Sequence, residues 1–294
     1  MANSLISGKG TGWLRDRPDW RDYTLGTVRS ELWDNGDRSK AKLWAPSPGL
    51  SNALPDSVDL RQWCSPIEDQ GAIGSCTAFA GAGLVEYSMR RAFNIHVDVS
   101  PLFLYKTTRN VMGVTGDTGA WLRDMLKALV MCGVAPEDNW PYDAAKYDQE
   151  PSAFLYALGQ NYQAVRYVRL DRPGMPGIAV LERIKTMLFA GFPAAFGFTV
   201  YDSIKDAGQT GEISFPQPGE RVINGHAVDA VGFSDMRTIG NDRGALLIRN
   251  SWGAGWGEQG YGWMPYKYII EGLAVDWWCI LQQEWVDTGA FGEI

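Results

Sequence analysis

The sequence predicts an α+β protein of two lobes, one mainly helical and one mainly sheet, with a cleft between them. Three observations carry this expectation. Apolar residues fall at helical spacing between Cys76 and Met131, whereas short apolar runs bounded by turn residues recur from Tyr162 onward. A chain of 294 residues is also long enough to bury a substantial core. The helical half is expected over about 55–150 and the sheet half over about 151–286, with an N-terminal extension at 1–54 and a C-terminal tail at 287–294.

The extension is rich in Gly, Asp, Arg, Trp and Pro without sustained periodicity, and Ala45-Pro46-Ser47-Pro48-Gly49 reads as a linker. Ser75 can cap a helix from Cys76 to about Phe93, in which Ala78, Phe79, Ala82, Leu84, Val85 and Met89 share a face. Ser100-Pro101 opens a second helix over roughly Leu102 to Thr108, because proline fits the first turn. A third is expected from about Ala120 to Met131, closed by Gly133. Strands are expected at Tyr162–Leu170 and Pro193–Val200 around a helix at about Ile178–Phe189. Further strands follow at Ala227–Phe233, Ala245–Ile248, Gly260–Met264 and Trp277–Trp285.

A net charge of -7 argues against an electrostatic nucleic-acid partner. No stretch approaches the length of a membrane span, and the first residues lack the apolar run of a signal peptide, so a cytoplasmic location or export by a non-classical route is expected. The four cysteines, Cys64, Cys76, Cys132 and Cys279, are scattered and form no CxxC pair. They do not make a disulfide framework, although Cys64 with Cys132 is conceivable. Two distant histidines and no paired cysteines give no coherent zinc set, so no metal or cofactor is expected. The chain is read as a monomer whose partners are its substrates.

The most informative segment is Asp69-Gln70-Gly71-Ala72-Ile73-Gly74-Ser75-Cys76-Thr77-Ala78. Glycines at 71 and 74 permit a tight loop that delivers Cys76 to the first turn of a helix. The positive helix end favours thiolate over thiol, and a neighbouring imidazolium would lower the pKa further. Gln70 could curl back so that its amide and the Cys76 N–H donate to a developing oxyanion. A base is then required. His96 has no other catalytic residue types nearby and reads as structural, whereas His226, in Asn224-Gly225-His226-Ala227-Val228, opens an apolar strand. Asn250, in Arg249-Asn250-Ser251-Trp252-Gly253, ends another and could orient the imidazole, with Trp252 shielding that contact.

The cysteine loop, the Gly-His-Ala strand and the run Asn250 to Gly262 resemble the papain family of cysteine peptidases in chain order and separation. The likeness spans roughly 55–286, including Leu54-Pro55-Asp56-Ser57-Val58-Asp59-Leu60-Arg61 and Trp140-Pro141-Tyr142. It implies a helical left lobe, an antiparallel β-barrel-like right lobe and an active-site cleft between them. It also implies peptide or protein substrates, with Cys76 as nucleophile, His226 as base and acid, Asn250 as orienter, Gln70 as oxyanion donor and Trp252 as cover. Gly116-Asp117-Thr118-Gly119-Ala120-Trp121 is similar to the family's glycine-rich strip, which pairs with extended substrate. Gly119, Ala120, Trp121 and Gly225 are therefore the substrate-binding candidates. Ile73 and Asp117 stand where eukaryotic relatives carry two disulfide partners, and Thr77 replaces a common aromatic. That pattern resembles the bacterial branch represented by xylellain.

The expected function is endopeptidase hydrolysis through a thioester acyl-enzyme. Alternatives on the same fold are an exopeptidase, isopeptidase or acyl transferase, with the extension or an insertion at Ser234–Asp242 blocking one end of the cleft, or a catalytically silent binding protein. The extension is too short for a helical inhibitory propeptide. Trp13, Leu14, Trp20 and Tyr23 suggest instead that it folds back over the cleft, or packs on one lobe for stability.

Overall fold

A computed structural model of the protein describes residues 5–25 and 54–283. The tail at 287–294 and the linker at 45–49 lie outside them. After a short strand β1 (Ser57–Asp59) come three helices, α1 (Cys76–Phe93), α2 (Pro101–Met112) and α3 (Leu122–Met131), and then the small α4 (Ala153–Gly159). The sheet half comprises β2 (Ala164–Arg169), α5 (Gly177–Phe189), β3 (Ala194–Tyr201), α6 (Ile204–Thr210), β4 (Val222–Ile239), β5 (Asp242–Arg249), β6 (Tyr261–Pro265), α7 (Lys267–Ile270) and β7 (Ala274–Gln283).

The expected Ser75 cap on α1 does not form, because its hydroxyl bonds Tyr142 OH instead, whereas the cap on α2 does. The Ser100 side chain accepts from the Phe103 N–H at the start of α2, with Pro101 in the first turn. Helix α3 begins at Leu122, not Ala120: Trp121 is extended (φ -86°, ψ 139°) and Ala120 pairs as a strand residue. A backbone held in such a pairing cannot join the helix.

All strand pairs are antiparallel, in the order β2-β7-β3-β4-β5-β6, with β1 added on β4. The segment read as an insertion at Ser234–Asp242 is the tip of the β4–β5 hairpin, turning at Gly240, where φ is 58°. Arg237 in that tip pairs with Glu212 and Glu258.

Two cores lie on the two faces of the sheet, with α1 almost wholly in the first. One joins α1, α2 and α3 through Leu84, Val85, Leu102, Phe103 and Leu126, and the other joins α5 to the sheet through Leu188, Phe196, Phe233 and Trp277. Strand alternation divides β4 between them, with Ala227 in the helical core and Val228 and Ala230 in the sheet core. The four cysteines are all free, so the Cys64–Cys132 bridge does not form.

The rings of Phe196 and Trp277 stack 3.9 Å apart, both fully buried. Phe196→Ala should cost about 3–5 kcal/mol of unfolding free energy in a denaturant titration. A loss under about 1 kcal/mol would show that this stack does not anchor the sheet core.

Candidate active site

Cys76 is the first residue of α1, and its side chain is fully buried. The N–H groups of Ala227, Gly12, Thr77 and Trp13 face its sulfur, which therefore sits against the residue that follows His226 in β4. His226 is also fully buried, and its Nε2 lies 2.8 Å from Asn250 Oδ1. That oxygen accepts from the Ser251 N–H as well, at 2.8 Å. The backbone bond identifies this end of the carboxamide as oxygen, so Nε2 must carry the imidazole proton. Nδ1 is left with a lone pair, is buried and has no hydrogen-bond partner among the described residues. The Trp252 ring stacks on the imidazole at 4.5 Å and itself meets Trp256 edge-on, excluding water from the His226–Asn250 contact.

Gln70 is oriented from behind. Its Oε1 accepts from the Ser251 hydroxyl at 2.6 Å, and its backbone N–H donates to Ser251 O at 2.9 Å. With the oxygen fixed there, Nε2 is presented on the other side, where it donates to Ile73 O and Gly10 O. Tyr142 supports the same loop, donating to Gln70 O and bonding the Ser75 hydroxyl. Asp117 accepts from the Gly74 N–H at 2.9 Å and from the Tyr105 hydroxyl at 2.6 Å. A carboxylate thus ties the cysteine loop to the glycine-rich strip at a position where a disulfide was noted as missing.

The N-terminal segment fills the groove. The Ala120 N–H donates to Gly12 O at 2.8 Å and the Leu14 N–H donates to Ala120 O at 3.0 Å, forming a parallel bridge centred on Trp13. Both backbone groups of Ala120 are therefore consumed. A Cβ on Gly12 would overlap the Gly74 carbonyl, so only glycine lets the segment approach this closely. The Trp13 ring lies on Gly197 and Gly225, where any side chain would collide with it, and its Nε1 donates to Asp276 Oδ2 at 3.0 Å. Asp276 also accepts from Trp278 Nε1 at 2.7 Å, faces Arg169 at 3.2 Å, and has φ 64°, a strained value for a residue with a side chain. Farther on, Arg123 pairs with Asp16 and Asp22.

The N-terminal segment touches Gln70, Gly119, Ala120 and Gly225 and faces the Cys76 sulfur, while His226, Asn250 and Trp252 form one cluster and no hydrogen bond joins His226 to Cys76. Trp121 is half-buried at the α3 cap. Of the aromatics read in the extension, Trp13 is 5% exposed and serves as the anchor, whereas Trp20 is 90% exposed and Tyr23 48%. Gly12, Gly197 and Asp276 were missed. The alternation Gly8-Lys9-Gly10-Thr11-Gly12-Trp13 was the available signal for the first.

Coverage changes the electrostatics. Burial pushes the Cys76 thiol up to about 11, and burial holds His226 down to about 4 against the support of Asn250. The thiolate expected from the helix end is therefore disfavoured beneath the segment, where both charged forms would lose hydration.

A papain family cysteine protease profile matches residues 54–273. The chain belongs to the papain family. It is 34% identical over 293 residues to an uncharacterised peptidase C1-like protein of Acanthamoeba polyphaga mimivirus, covering 95% of this chain and 89% of that one. It is 30% identical to a cathepsin B-like protein, CP3, of Giardia intestinalis, covering 70% of this chain and 68% of that one. Among solved structures it is similar to xylellain, a cysteine protease from Xylella fastidiosa, with a TM-score of 0.74, 32% identity, and coverage of 95% and 98%. This papain-family protease thus has the two-part mixed fold of its relatives, and the bacterial resemblance sits beside a viral one.

Removing the Trp13 anchor should expose the thiol. In Trp13→Ala, iodoacetamide alkylation of Cys76 at pH 7, followed by mass spectrometry, should be at least about tenfold faster than in the intact protein. In the intact protein the rate should climb only as pH rises toward 11, because the covered thiol gives up its proton there. Equal rates at pH 7 in both proteins would mean that Trp13 does not control access.

Proposed function

We propose that this papain-family protease is an endopeptidase working through Cys76, His226, Asn250 and Gln70, and that its N-terminal segment restrains it by occupying the substrate groove. The observation that carries the first part is the fixed tautomer of His226. Asn250 holds Nε2–H, so Nδ1 is the nitrogen available to take the thiol proton. The Cys76 sulfur then bonds to the scissile carbonyl carbon while the Gln70 amide and the Cys76 N–H receive the oxyanion. As the C–N bond breaks, the imidazolium protonates the leaving amine. Water attacks the thioester, gives its proton to His226, and the acyl group leaves as a carboxylic acid with the thiol restored.

The restraint is supported by the two consumed backbone groups of Ala120 and by the Gln70 amide, which is bonded to Gly10. An extended substrate would need the same strip and the same donor. Once the segment leaves, Gly119, Ala120, Gly225 and the half-buried Trp121 would border the bound substrate. The Asp276 carboxylate at the floor of the Trp13 pocket favours a large side chain ending in a hydrogen-bond donor, such as tryptophan or arginine.

Labelling by an epoxide of the E-64 kind should occur on the protein lacking residues 1–53 and vanish in its Cys76→Ala variant. Persistent labelling in that variant would remove Cys76 as the nucleophile. Gln70→Ala in the shortened protein should lower kcat by about 10²–10³ with KM little changed, as read with a fluorogenic peptide. Turnover of peptides and proteins that is the same with and without residues 1–53 would contradict restraint by the segment.

A further inference from the structure

Beside the Gln70 loop, three carboxylates converge. One oxygen each from Glu68, Glu86 and Asp98 lies within 4.8 Å of the other two. Glu68 is two residues before Gln70, Glu86 lies within α1, and Asp98 is on the loop leading to α2. Like charges this close repel strongly unless something of opposite sign lies among them. No lysine or arginine of the described residues comes within ion-pair distance of any of the three.

Glu86 supplies an independent sign. It is fully buried, and one of its oxygens accepts from the Val99 N–H at 3.0 Å. The other makes no hydrogen bond of ordinary geometry, although the Ser65 hydroxyl lies close to the carboxyl, leaving a buried carboxylate oxygen under-satisfied at the cluster. The buried Oε2 of Glu137 is equally unpartnered, and that carboxylate is near enough to raise Glu68. Arg249 acts on Glu68 and Glu86 only from a longer distance.

Three carboxylate oxygens no more than 4.8 Å apart suit a hard cation, and Ca²⁺ accepts several protein oxygens in flexible geometry, whereas Mg²⁺ usually keeps several waters and is rarely held by an all-protein set. An all-carboxylate set without nitrogen or sulfur also disfavours zinc. We propose that Glu68, Glu86 and Asp98 bind one Ca²⁺ ion, with water completing the shell, and so fasten the segment carrying Gln70 to α1 and the Asp98 loop. This site is independent of the proteolytic chemistry and makes no contact with the reacting atoms.

The test uses the full chain as Cys76→Ala, which prevents self-digestion, stripped with EDTA and titrated with CaCl₂ by calorimetry. One Ca²⁺ per chain should bind, and Tm should rise by about 4 °C or more at a hundredfold excess over Kd. Asp98→Asn and Glu68→Gln, both at positions where the side chain reaches solvent, should each weaken Ca²⁺ binding at least about tenfold while keeping the metal-free Tm within a few degrees. Absence of saturable binding overturns the proposal. So does binding that is unchanged in both variants, which would place the ion elsewhere, and so does tighter binding of Mg²⁺ than of Ca²⁺ in the same titration.

Discussion

Helix α1 must be thin enough to pack between α3 and the β4–β5 pair, and that constraint governs the rest of the molecule. Its middle is built from Ala78, Ala80, Gly81, Ala82 and Gly83, and a Cβ at Gly81 or Gly83 would meet Met125 on one side or Arg249 and Asp229 on the other. Small side chains bring α3 and the β4–β5 pair close to the helix axis. The first residue of α1 is thereby set against β4 next to His226. The position of Cys76 is a consequence of packing.

The site is then oriented by groups that never touch a reacting atom. Ser251 contributes twice, its N–H fixing the Asn250 carboxamide and its hydroxyl fixing that of Gln70. One residue therefore determines both the imidazole tautomer and the direction of the Gln70 donor. Tyr142 and Asp117 hold the intervening loop from the helical half. A site spanning two lobes depends on such crosslinks, because each lobe has its own core and could otherwise shift against the other.

The N-terminal segment engages these same features in reverse. It meets the groove with backbone, through Gly10, Gly12 and Leu14, and with one large side chain, Trp13. Its glycines permit contact distances that other residues would not, and Trp13 removes water from a carboxylate and from the thiol at once. The reactivity of Cys76 is consequently a property of coverage as much as of its own helix: the helix end favours charge, while desolvation opposes it and prevails.

The sequence by itself determined the order of elements and singled out the candidate reactive groups. Helical and alternating periodicities placed α1, α2, α5 and most strands to within a few residues, because local spacing reports which face each element buries, whereas β4 runs well past both ends of the expected Ala227–Phe233. The loop around Cys76, the His226 strand and the Asn250 turn were legible because their residue types are rare in such combinations. Only the tertiary structure decided the start of α3, the role of Asp276, the choice of Trp13 over Trp20 as the anchor, and the neutral state of the covered thiol. Each of these depends on contacts between residues more than a hundred positions apart or on exclusion of water from the finished groove, and neither quantity is written in local pattern.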